Sequence, residues 1–174
     1  MSLGNMSRLY KKKVIILTRF GTVVCLGLPS LGCEMAIKKQ EFYEGAALHL
    51  LARTGGIAGI RYDAPFFLLN KSLQVHLKYC TKGRSPWGFT FTADEQSLLR
   101  DKAPCLKTVI AFVCGEDGVA AVNYEDYARI AAPRPSAVHI ACYRRHGEYY
   151  EVNGPDGKLD WKVSPSNWRR ILES

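Results

Sequence analysis

The sequence predicts an α/β domain built on a mixed central β-sheet flanked by helices. Three observations lead there. Apolar side chains recur at helical spacing from Ala36 to about Arg53, and residues 58–69 and 72–80 read as two strands joined by a short turn. Further on, Thr108 to Cys114 is an unbroken apolar run suited to a strand covered on both faces. A helix, a strand pair and a buried strand, with helices between, pack best as a mixed sheet with helices against it.

Each element has its own signal. Phe42, Ala46, Ala47, Leu50 and Leu51 mark the apolar side of the first helix, and Thr54-Gly55-Gly56 ends it. Asn70-Lys71 supplies the turn between the next two strands. Trp87 to Thr92 alternates aromatic and small residues as a third strand, and Thr92-Ala93-Asp94-Glu95 has the capping-box form that opens a helix through about Lys102. After the buried strand, Glu116-Asp117-Gly118 turns the chain and Val119 to Val122 returns it. A short helix follows over 123–130, with Asn123 at its cap. Two more strands, 138–143 and 149–152, flank Arg144-Arg145-His146-Gly147. Asn153 to Gly157 is a turn, and Ser166 caps a last helix, NWRRILE.

A chain of 174 residues fits one domain, or one domain with an appendage. With 47% hydrophobic and 23% charged residues it has the means to bury a core, which excludes disorder throughout. The net charge is +8, and residues 1–34 carry +4 of it (five basic residues against Glu34), leaving 19 basic and 15 acidic side chains beyond. A positive balance attracts polyanions, but here it is mild over the domain proper. Six cysteines, none in C-x-x-C spacing, read as reduced thiols of a cytoplasmic protein.

The first 34 residues read as an extension, with the domain spanning 35–174. Lys11-Lys12-Lys13 before VIILTRFGTVVCLGL invites a signal-peptide reading, yet Arg19 interrupts a run too short to span a membrane. Ser30-Leu31-Gly32-Cys33 matches a lipoprotein cleavage box only loosely. Met35 opens a natural-looking start, so residues 1–34 are an over-long start or an added tag; the alternative is an edge hairpin, 13–19 and 22–28 around Gly21.

The chemistry-bearing residues concentrate between Gly59 and Arg84. On a strand, Gln74, His76 and Lys78 share one face and Leu73, Val75, Leu77 and Tyr79 the other. A two-residue turn at Asn70-Lys71 pairs 69 with 72, 67 with 74, 65 with 76 and 63 with 78. That register sets Asp63 opposite Lys78 and brings acid, amide, imidazole and amine onto one patch. The bland reading is a cross-strand salt bridge on a solvated face.

Here residues 36–92, about a third of the chain, resemble the PD-(D/E)XK nuclease superfamily. That superfamily has a glutamate on a first helix, an aspartate on a strand, and an acid-x-lysine element on the strand after a hairpin. Glu44, Asp63 and His76-Leu77-Lys78 match these in order. The resemblance implies a restriction-endonuclease-like core and hydrolysis of DNA phosphodiester bonds. It also implies a divalent ion, magnesium or manganese, held by Asp63, His76 and Glu44, with Lys78 orienting the attacking water.

The departure is His76, which stands where the superfamily has its second acid. Magnesium prefers oxygen ligands, whereas an imidazole suits manganese or zinc. Three outcomes follow: Glu44 supplies the missing carboxylate; His76 acts as a general base or ligates a softer metal; or the site is dead and a binding fold remains. Gln74, Lys82 and Arg84 are candidate nucleic-acid contacts, with Trp87 and Phe89 beside them as stacking groups or core aromatics. Arg144, Arg145, His146, Arg169 and Arg170 are basic candidates for backbone contact, although residues of this kind are more often just solvated charges. His49 and His139 read as structural, and Cys80 as a thiol beside Lys78.

The expected function is a divergent metal-dependent DNA nuclease with Asp63, Lys78, Glu44 and His76 as catalytic residues. The alternatives are an inactive nuclease-like domain binding nucleic acid or a protein, and an interaction module with no nucleic-acid role. A homodimer suits a two-fold substrate.

Overall fold

A computed structural model describes residues 36–173. The extension and its hairpin alternative lie outside these residues. In chain order the elements are α1 (Lys39–Ala52), β1 (Ile60–Asp63), β2 (Phe66–Leu69), β3 (Leu73–Cys80), β4 (Trp87–Phe91) and α2 (Ala93–Lys102). Then come β5 (Lys107–Cys114), β6 (Val119–Asn123), α3 (Tyr124–Ile130), β7 (Val138–Tyr143), β8 (Glu151–Gly154), β9 (Gly157–Lys158) and α4 (Asn167–Arg170). The fold is mixed α/β, with two mostly antiparallel sheets rather than one central sheet.

The first sheet runs β1-β2-β3-β5-β6 and is antiparallel except where β3 and β5 lie parallel. A parallel neighbour needs a long crossover, which β4 and α2 provide. The second sheet runs β4-β7-β8-β9. The strand WGFTFT therefore leaves the first sheet and pairs with β7, from Trp87↔Cys142 to Phe91↔Val138.

Strand alternation divides the first sheet's side chains between two cores. Leu73, Val75 and Leu77, with Val109, Ala111 and Val113, face Ala47 and Leu51 of α1 and Trp168 of α4. On the reverse face, Ile110, Phe112 and Val122 meet Trp87, Phe89 and Phe91 of β4, Leu99 of α2 and Tyr127 of α3. Both faces of β3 and β5 are thus covered, which explains their nearly continuous burial. Trp87 and Phe89 are core aromatics.

Several expectations need correction. The run 58–69 is two strands, because Ala64-Pro65 turns the chain and proline has no N–H for a ladder. The next turn also differs. Leu69 pairs with Leu73, not with residue 72, so Gln74 faces Leu68 and His76 faces Phe66. Asn70 and Lys71 both have positive φ, 51° and 60°. Asn70 Oδ1 accepts from Ala58 N (2.7 Å) and Gly59 N (3.3 Å), while Nδ2 donates to the Gly56 carbonyl (2.6 Å). These bonds tie the turn to the loop after α1 and set a register one residue away from the simple hairpin. On α1, Phe42 and Ala46 point outward, and Glu44, Ala47 and Leu51 are buried. The last strand pair begins at Glu151, and Tyr150 bridges to Val163.

Gly115 closes the turn after β5 with φ +58°, and a Cβ there would lie 2.3 Å from the Lys82 carbonyl oxygen. Its N–H donates to the Cys80 carbonyl (2.9 Å). Gly115→Ala is expected to cost about 1–3 kcal/mol, from left-handed backbone strain plus displacement of the Lys82 segment. Urea denaturation of the two proteins measures it, and equal midpoints would show that the turn relaxes freely.

Candidate functional site

The β2–β3 ladder ends at Phe66↔His76, yet β3 continues to Cys80. Where β3 outruns its neighbour, a cleft of about 300 Å³ opens, lined by Gln40, Pro65, His76, Lys78, Thr90 and Glu95 among others. His76 and Lys78 point into it from β3, Thr90 flanks it from β4, and Glu95 reaches it from the first turn of α2.

Glu95 is fixed at both oxygens. Its Oε2 accepts from Thr92 N (2.9 Å) while its own N–H donates to Thr92 Oγ1 (3.2 Å), the reciprocal capping box seen in the sequence. Its Oε1 accepts from Lys78 Nζ at 2.7 Å. The Lys78 ammonium also lies 5.1 Å over the Phe91 ring. Although partial burial opposes ionisation, the bonds from Lys78 and Thr92 hold the Glu95 carboxyl below its ordinary value.

His76 is 2% exposed, with its ring packed against Phe66 and Phe91. Its Nδ1 lies 3.3 Å from the Pro65 carbonyl oxygen. A carbonyl only accepts, so Nδ1 carries the proton and Nε2 is left with a lone pair. Nε2 is buried with no hydrogen-bond partner and lies 3.9 Å from Glu95 Oε1, beyond hydrogen-bond reach. Burial, and secondarily Lys78, push the imidazole pKa down to about 4 against the opposing pull of Glu95. Neutral His76 thus sits beneath the Lys78–Glu95 ion pair.

The other predicted residues do not gather here. Asp63 faces Phe66 rather than Lys78 and is exposed, with its carboxylate 3.7 Å from Lys102 Nζ. Glu44 accepts from Gln40 Nε2 (2.8 Å) in a separate groove against Tyr62 and Phe67, and burial raises its pKa. Gln74 is buried on the His76 face of β3 with Nε2 unpartnered. Lys82 and Arg84 are exposed just past β3. Among the described residues, no group of three or more His, Cys, Asp or Glu is placed to hold a metal ion. Asp63, His76 and Glu44 therefore do not fit a shared divalent ion. In the resting arrangement the Lys78 ammonium occupies the Glu95 oxygen that faces His76.

Elsewhere, a larger hollow of about 570 Å³ is lined by Arg144, Arg145, Tyr149 and Lys162. Two of its cations are paired: Arg144 with Asp117 (2.6 Å), and Lys162 with Glu148 (2.9 Å) and Glu151 (2.8 Å). Cys80, Cys105, Cys114 and Cys142 are free thiols.

Glu95 is the residue that sequence reasoning missed. Its sequence signal is the Thr92–Glu95 capping box, which the start of α2 alone accounts for. No known family, curated protein or solved structure matches the chain. No helix among the described residues is long and apolar enough to cross a membrane.

Proposed function

We propose that the domain is a nuclease-like hydrolase of DNA phosphodiester bonds, with the His76–Lys78–Glu95 cleft as its working site. The observation that carries this reading is His76 Nε2, a buried lone pair without a partner beneath a charged pair. A buried polar atom left unpaired costs about 1–3 kcal/mol, and such atoms mark catalytic or ligand positions. Lys78, on the strand that carries the acid-x-lysine resemblance, supplies a cation for a phosphate oxygen. Lys82 and Arg84 lie close behind it in the chain to engage the neighbouring backbone. The order α1, β1-β2-β3, then a crossover through β4 and α2 to β5, with β3 and β5 parallel, supports a restriction-endonuclease-like core within the larger fold.

One observation favours a second reading, binding without hydrolysis: Glu95 already holds Lys78, and the acids the resemblance requires lie apart. The test is cleavage of plasmid and branched DNA with magnesium or manganese, comparing wild type with Lys78→Ala. Hydrolysis by the wild type, reduced at least about hundredfold in the variant with folding unchanged, is the expected result. Salt-sensitive binding without cleavage would select the second reading.

A further inference from the structure

We infer that His76 is the general base of this site, acting without a metal ion, and that the Lys78–Glu95 ion pair is the latch that covers it until a phosphate draws Lys78 away. The inference rests on the hydrolase reading above and gives that site its mechanism.

The two halves of the latch differ in mobility. Glu95 is clamped to the α2 N-terminus through Thr92, so it stays where the fold puts it. Lys78 is held to it by one terminal ammonium at the end of a flexible stem, on a side chain 21% exposed. A phosphodiester entering the cleft offers that ammonium a second anion, and the charge-assisted bond to phosphate replaces the one to Glu95. With Lys78 displaced, Nε2 and Oε1 face each other across 3.9 Å, a separation that one water spans. Both atoms accept, so such a water gives a proton to each and turns its own lone pair outward, toward the phosphorus.

The chemistry then balances without a Lewis acid. The water oxygen forms a bond to phosphorus as its proton passes to His76 Nε2. The P–O bond to the leaving sugar oxygen breaks, and that oxygen takes a proton from solvent. His76 afterwards returns its proton to solvent. Lys78 faces the charge that builds on the non-bridging oxygens. The other two sides of the imidazole meet the rings of Phe66 and Phe91, so Glu95 and Lys78 are the charged groups that tune it. Moving Lys78 off Glu95 and adding a phosphate anion both favour the protonated ring, which carries the base toward the strength the reaction needs. Glu95 is a positioning residue for the water; His76 touches the reacting atoms.

The experiment uses the full chain. DNA cleavage is measured with and without a strong chelator for wild type and His76→Gln, whose amide cannot take a proton. In parallel, imidazole ¹⁵N spectra of wild type and Glu95→Gln are titrated with inorganic phosphate. The expected result is cleavage that survives chelation and falls at least roughly hundredfold in His76→Gln while DNA affinity stays within about twofold. Phosphate should move the unprotonated Nε2 resonance in the wild type, and less in Glu95→Gln. Cleavage that needs a divalent ion and persists in His76→Gln would overturn this inference while leaving the hydrolase reading standing. No cleavage by the wild type under any condition would overturn both.

Discussion

Trp168→Ala is expected to destabilise the domain by about 3–5 kcal/mol, the cost of emptying a large aromatic site in a packed core. Trp168 is 2% exposed on α4, among the residues that pack on the first sheet, and its Nε1 donates to the Ala47 carbonyl of α1 at 2.8 Å. One side chain therefore joins the last helix to the first across nearly the whole described chain. For a domain of this size the loss lowers Tm by roughly 10–15 °C. Trp161 provides the contrast: it is 41% exposed, with Arg129 stacked over it, and its truncation should cost about 1 kcal/mol or less. Calorimetry on the two variants decides the matter. Similar melting temperatures would mean that α4 is dispensable to the core. The effect also reaches the cleft, because α1 carries Gln40 to its rim.

The same helix pair shows what kind of information the sequence carries. Period and punctuation placed most elements within a residue or two: Gly55 and Gly56, at φ 78° and 81°, end α1, and the Thr92–Glu95 box opens α2 as expected. What failed was whatever depends on atoms distant in sequence. The β2–β3 register turns on Asn70 bonding back to residues 56–59, and nothing in the local pattern announces those bonds. The single-sheet expectation failed for a related reason. WGFTF is a strand wherever it sits, and only its partner β7, some fifty residues later, decides which sheet it joins.

The candidate site was legible in part, and the boundary has a physical cause. Alternation alone places His76 and Lys78 on one face of β3, and they do share the cleft. Asp63 joins them only if 58–69 is one strand beside β3, and the turn at Ala64-Pro65 breaks that run, so Asp63, on β1, pairs with Phe66 instead. It now sits one strand farther out, against Lys102. Glu95 arrived through a crossover helix, and its capping role concealed that the same carboxylate has a second oxygen to offer. A residue that satisfies one local rule completely can still serve a second, non-local one.

His76 makes the acid side of the stability profile steep. Its folded-state pKa lies near 4, against an ordinary value of 6.5, chiefly because burial disfavours the charged ring. Between those values the unfolded chain binds a proton that the folded chain refuses, so stability rises with pH. The contribution is fully present above pH 6.5 and is lost as pH falls toward 4, at up to about 1.4 kcal/mol per pH unit and about 3 kcal/mol in all. Glu95, whose pKa is lowered, loses its own contribution in the same direction at the acid end of this window. Glu44 acts oppositely, because burial raises its pKa and protonation there favours the folded state, which blunts the slope near its ordinary value of 4.5. Chemical denaturation of wild type and His76→Gln from pH 7 to 4.5 isolates the imidazole. The wild type should lose stability through the window and the variant should be nearly flat. Equal slopes would mean that His76 titrates in the folded protein as it does in the unfolded chain, and that Nε2 is reached by water even while Lys78 rests on Glu95.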